Sequence, residues 1–68
     1  MRILINGRTT VLADGATVQA AVEALDLPAS GRGVAVAVDA EVARRGVWET
    51  RTLADGARVE IVRAVQGG

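Results

Sequence analysis

The last two residues of the chain, Gly67-Gly68, are the part whose type and placement point most directly to chemistry. Lacking a Cβ, both reach backbone angles closed to other residues and let a neighbouring protein's backbone approach closely. That suits a carboxylate that must thread a narrow channel. A terminal carboxyl is an anion at neutral pH and therefore a poor electrophile, so acyl chemistry at Gly68 requires activation by another molecule. Gly-Gly ends a chain by chance roughly once in 200 sequences, and loose termini often finish in glycine. The pair gains meaning only from the element that presents it.

The rest of the chain offers no activation of its own. Its 68 residues include no cysteine and no histidine, which removes disulfides, thiol nucleophiles, the usual zinc sites and the commonest general base. Asp14, Asp39 and Asp55 each sit beside glycine or alanine at expected turns, where aspartate bonds to nearby backbone; they do not read as a catalytic pair. Eight basic and eight acidic residues balance to zero and are spread along the sequence, so no basic stripe is available to nucleic acid or anionic lipid. No apolar run approaches the roughly 18 residues of a membrane span, and Met1-Arg2-Ile3-Leu4-Ile5 lacks the longer apolar region of a signal peptide. A cytoplasmic protein without metal or cofactor is expected, one that enzymes act upon and that is not itself an enzyme. Every basic residue is arginine. Codon bias explains this, although it also leaves an activated C-terminus no side-chain amine on its own chain to acylate.

Half of the residues are apolar, enough for one small domain and too few residues for two. Arg2 to Asn6 alternates, and Asn6-Gly7 leads into Arg8 to Ala13; Asn-Gly between two β-prone runs is a hairpin signal, because a type I′ turn needs positive φ at both central residues. After Asp14-Gly15, Thr17 is placed to cap a helix that carries Val18, Ala21, Val22 and Leu25 on one face. The capping box is incomplete, with Ala20 where Glu or Gln would stand. Pro28 closes the helix region, and residues 29 to 33 read as loop. Val34, Val36 and Val38 alternate with Ala35 and Ala37 as a strand whose large residues face the helix. Asp39-Ala40 turns it into a short return strand, Glu41 to Ala43, and Arg44 to Trp48 read as an irregular turn. Asp55-Gly56 introduces the last strand, Arg58 to Ala64.

Hairpin, helix, strand, short strand and strand, joined by a right-handed crossover, form an α+β domain with a mixed sheet of four or five strands and one covering helix. This is the ubiquitin-like β-grasp arrangement. It assigns residues 1–64 to the domain and residues 65–68 to a flexible tail, whose four residues reach at most roughly 13 Å beyond the last strand.

Met1-Arg2-Ile3-Leu4-Ile5-Asn6-Gly7, Thr17-Val18, Val34 to Val38, Trp48, Leu53-Ala54-Asp55-Gly56 and Val65-Gln66-Gly67-Gly68 resemble, in order and over the full length, the ThiS family of sulfur carriers in thiamin biosynthesis. The resemblance implies that a ThiF-type adenylyltransferase uses ATP and Mg²⁺ to form an acyl-adenylate at Gly68. A persulfide donor then leaves a thiocarboxylate, which supplies sulfur to the thiazole synthase ThiG, while Gly67 gives access. Two positions depart from the family pattern: Asp39-Ala40 where Asn-Gly is usual, and Arg44 where proline tends to precede an arginine matching Arg45. Both bear on the backbone around Trp48 and leave the tail untouched.

Leu4, Val62 and Ala64 are expected on the strand face opposite the helix, where with Val65 and Gln66 they would form a docking surface for partner enzymes. Scattered apolar residues are also normal on soluble domains. Trp48, the single aromatic residue, reads as the cap of a core built from Val, Ile and Leu, and Arg44-Arg45 as a solvated pair. Two other functions share these features. One is a carrier for another pathway, such as molybdopterin, cysteine or tRNA thiolation; the other is a β-grasp interaction module in which the last two glycines are dispensable.

Overall fold

The computed structural model of the chain describes residues 1–27 and 31–64. Its elements are β1 (Arg2–Ile5), β2 (Arg8–Val11), α1 (Val18–Ala24), β3 (Val34–Val38), β4 (Glu41–Ala43), a 3₁₀ helix (Arg45–Val47) and β5 (Arg58–Arg63). The five strands form one sheet in the order β2-β1-β5-β3-β4. β1 and β5 run parallel and the other pairs antiparallel. This mixed sheet under one helix is the ubiquitin-like β-grasp fold that the element order predicts. The strand that leads into the C-terminal residues lies at its centre.

Period-two alternation decides which side chains are buried. Ile3 and Ile5 of β1, Val36 and Val38 of β3, and Val59 and Ile61 of β5 face α1, whose Val18, Ala21 and Val22 complete the packing, and all of these are buried. Asn6 and Gly7 take φ of 51° and 82°, the double positive φ that a type I′ turn requires. Asp39 and Ala40 repeat that geometry with φ of 49° and 69°, although alanine is poorly suited to it.

The helix ends earlier than its apolar pattern suggests. Leu25, expected on the buried face, is the C-cap residue and is 40% exposed. Asp26 takes a φ of 57° and turns the chain out of the helix before Pro28, so that Leu27, and not Leu25, packs against the core.

The stretch after β4 is more ordered than an irregular turn. Trp48 is 1% exposed and its indole N–H donates to the Ala43 carbonyl at 2.8 Å, so it closes the core as its composition predicts. The N–H groups of Val18 and Gln19 donate to the Arg51 and Trp48 carbonyls, each at 3.0 Å. The Ala20 N–H donates to Thr17 Oγ1 at 3.4 Å. A helix start leaves its first N–H groups without intrahelical partners; here tertiary backbone supplies the partners that a capping box would have supplied. Thr17 and Thr52 form an isolated antiparallel bridge beside them. Arg44 takes a φ of −65°, the angle that proline fixes, so the backbone here would accept a proline as readily as the arginine.

Candidate functional site

The described part of the site is the end of β5, after which the sequence continues into Val65-Gln66-Gly67-Gly68. Arg63 pairs with Val34 across the β5–β3 ladder, and the Ala64 N–H donates to the Gly33 carbonyl at 2.6 Å. On the other flank, β1 has ended before it could pair with Ile61. The Asn6 side chain takes its place: the Ile61 N–H donates to Asn6 Oδ1 at 2.8 Å, and Asn6 Nδ2 donates to the Ile61 carbonyl at 3.0 Å. An amide with one acceptor and one donor reproduces a neighbouring strand's peptide group. The last residues of β5 are thus tied down on both sides. Sequence reasoning assigned Asn6 to its turn and missed this second role, which depends on a residue 55 positions away. Val65, Gln66, Gly67 and Gly68 lie outside the described residues.

The face opposite the helix places the expected docking residues differently from one another. Leu4 is half-buried and sits opposite Arg58, in a shallow depression with Gly7, Arg58, Val59 and Glu60. Val62 is 63% exposed and sits opposite Ala35. Along β5 the positions of Arg58 and Val62 are roughly 13 Å apart at about 3.3 Å per residue. Leu4 and Val62 therefore share a face without touching, and Ala64 lies near Val62 alone. Val62 instead has Ala35 beside it and, further along, Ala37, which pairs with Val42, a residue 74% exposed. This second apolar strip follows from the parity of β4: with Ala43 buried, Val42 must face outward.

The three aspartates at turns bond to backbone, as expected, but to backbone distant in sequence. Asp55 Oδ1 accepts from the Arg2 N–H at 2.8 Å and Asp39 Oδ1 from the Arg58 N–H at 3.0 Å. Asp14 Oδ1 lies 3.1 Å from the Met1 amine. Each fixes the start of a strand, Asp14 and Asp55 at the neighbouring nitrogens of Met1 and Arg2 and Asp39 at Arg58. Among the described residues no cluster of three acidic, histidine or cysteine side chains is placed to hold a metal ion, and no helix is long and apolar enough to cross a membrane.

The model of the ThiS family matches residues 2–68. A crystal structure of the thiamine biosynthesis protein ThiS from Geobacter metallireducens superposes with a TM-score of 0.79 at 28% identity, over 100% of this chain and 100% of that one. A solution NMR structure of a thiamine biosynthesis protein from the same organism gives a TM-score of 0.79 at 27% identity, over 100% of this chain and 88% of the other. No curated protein sequence matches the chain.

Proposed function

The chain belongs to the ThiS family, and from that membership we propose that it is the sulfur carrier for thiazole formation in thiamin biosynthesis, with Gly68 as the residue that bears the sulfur. One observation carries the proposal: the family match continues through residue 68, directly beyond a central strand whose end is anchored on both flanks. A firm root and a glycine ending divide the labour between holding and reaching.

In this mechanism a ThiF-type adenylyltransferase binds ATP and Mg²⁺. An oxygen of the Gly68 carboxylate attacks the α-phosphorus, and pyrophosphate leaves. The terminal sulfur of a persulfide donor then displaces AMP at the acyl carbon to give a mixed acyl disulfide. A thiol cleaves it, leaving with the donor's sulfur as a disulfide and releasing the thiocarboxylate that supplies sulfur to the thiazole synthase ThiG. The chain itself provides the acyl group, the narrow Gly67-Gly68 ending that enters its partners' sites, and the surfaces they hold. Leu4 forms one such surface, and Val62 and Ala64 form another with Val65 and Gln66. The chain is then a co-substrate and not an enzyme, the domain is residues 1–64 and the tail residues 65–68.

Adenylation is tested by exchange of labelled pyrophosphate into ATP in the presence of the activating enzyme. Exchange that depends on the full chain and disappears on deletion of Gly68 supports the proposal. Exchange indifferent to that deletion favours an interaction module whose terminal glycines are dispensable.

A further inference from the structure

The single asparagine of the sequence, Asn6, is followed directly by glycine, and such a pair can react with itself. The Gly7 backbone nitrogen attacks the side-chain carbon Cγ of Asn6. The N–Cγ bond forms, the Cγ–Nδ2 bond breaks, and Nδ2 leaves as ammonia with the proton of the attacking nitrogen. Water then opens the five-membered imide at one of its two carbonyl carbons and returns a proton to the Gly7 nitrogen. The product is aspartate or, where the backbone is rerouted through the side chain, isoaspartate. Glycine favours the attack because it has no Cβ in the way. Both residues are exposed, and a Cβ built at Gly7 would meet nothing within 4 Å, so water reaches the pair.

The fold nevertheless keeps the reacting atoms apart. β2 and β5 flank β1 on opposite sides. The chain turns through Gly7 toward β2, whereas the Asn6 carboxamide reaches the other way. Its Oδ1 accepts from the Ile61 N–H at 2.8 Å and its Nδ2 donates to the Ile61 carbonyl at 3.0 Å. The Asn6 N–H donates to the Val59 carbonyl on the same flank at 2.9 Å. Backbone geometry opposes ring closure as well. Positive φ at both Asn6 and Gly7 belongs to a type I′ turn, whose first central residue has a ψ of about +30°. That angle sets the Gly7 nitrogen nearly opposite Cβ, and the imide needs the two almost eclipsed.

We infer that Asn6-Gly7 is a deamidation site that its bonds to Ile61 hold unreacted, and that conversion in an opened chain permanently unties the end of β5. An ionised carboxylate is acceptor-only. In place of the amide it still accepts from the Ile61 N–H, but it sets its second oxygen against the Ile61 carbonyl. Isoaspartate adds a backbone atom to the turn and loses the register altogether. The site thus records time spent unfolded. What an untied β5 costs the carrier rests on the proposed function; the chemistry at Asn6 does not.

The test incubates the full chain at mildly alkaline pH, once folded and once in denaturing urea, and follows fragment masses over time. Asp14-Gly15 and Asp55-Gly56 can form the same imide, but they lose and regain water and return to their starting mass. Replacement of NH₂ by OH at Asn6 should appear at least about tenfold faster in urea, because the reaction needs the opened state, and isoaspartate should be among the products. Equal rates in the two conditions, or aspartate as the sole product, overturns the inference. This comparison needs no variant to fold. The consequence for β5 is read on Asn6→Asp by hydrogen exchange. The Ile61 amide should exchange about tenfold faster than in wild type, while the β3–β4 amides stay within about twofold. Unchanged exchange at Ile61 overturns the claim that conversion unties the strand.

Discussion

At Gly31 one hydrogen atom in place of a methyl group keeps the core closed. Its φ is +68°, and a Cβ built there would lie 2.4 Å from Cζ3 and 2.9 Å from Cη2 of Trp48. Trp48 cannot retreat, because it is buried and its indole N–H is bonded to Ala43. Gly31→Ala should therefore cost about 3 kcal/mol from overpacking and left-handed strain combined, a large share of the stability of a domain this small. Urea unfolding followed by the fluorescence of Trp48 measures it directly. Ala40 poses the converse case, a side chain where glycine belongs, since it holds a φ of 69° in the β3–β4 turn. Ala40→Gly should relieve more strain than it adds in unfolded-state entropy and stabilise the domain by about 0.5–1 kcal/mol, raising Tm by a few degrees in calorimetry. Gly31 was legible in the sequence only as part of a loop, because its constraint comes from an indole distant along the chain. The Asp39-Ala40 turn was legible from its position between two strands, and its strain from the absence of glycine.

Among the elements, those set by local pattern were readable and those set by distant backbone were not. The opening hairpin, the alternating Val34–Val38 strand and the last strand follow from period two and turn chemistry. The start of α1 followed from Thr17, but not the way its remaining N–H groups are satisfied, which requires the Arg51 and Trp48 carbonyls. The helix end failed at Leu25 because an exit through Asp26 competes with apolar periodicity and leaves no sequence signal as strong as glycine. For the candidate site, Val62 and Ala64 were correctly given an outward direction, while the separation of Leu4 from them depends on register, which alternation alone does not specify. The pairing of Asn6 with Ile61 yields an element-scale prediction. Asn6→Gly keeps the positive φ of the turn but deletes both side-chain bonds to β5, and should destabilise the domain by about 1–2 kcal/mol. Hydrogen exchange should show the loss concentrated at the Ile61 amide. Uniform loss across the sheet would mean that Asn6 acts through its turn alone.

Taken as a molecule, the chain joins a rigid β-grasp body to the short sequence Val65-Gln66-Gly67-Gly68. Its composition lacks cysteine and histidine, and in the proposed function activation, sulfur delivery and sulfur use fall to partner enzymes, while the body would hold β5 in the sheet centre and present the glycine ending to them. The family match fits this division, as does the anchored end of β5. The central claim is that Gly68 carries sulfur, and intact-mass spectrometry after incubation with a ThiF-type enzyme, ATP, Mg²⁺ and a persulfide donor tests it most directly. The account predicts a gain equal to replacement of one oxygen by sulfur, located on Gly68 by fragmentation and absent when Gly68 is deleted. An unchanged mass with an enzyme shown to be active, or sulfur located elsewhere on the chain, would contradict it.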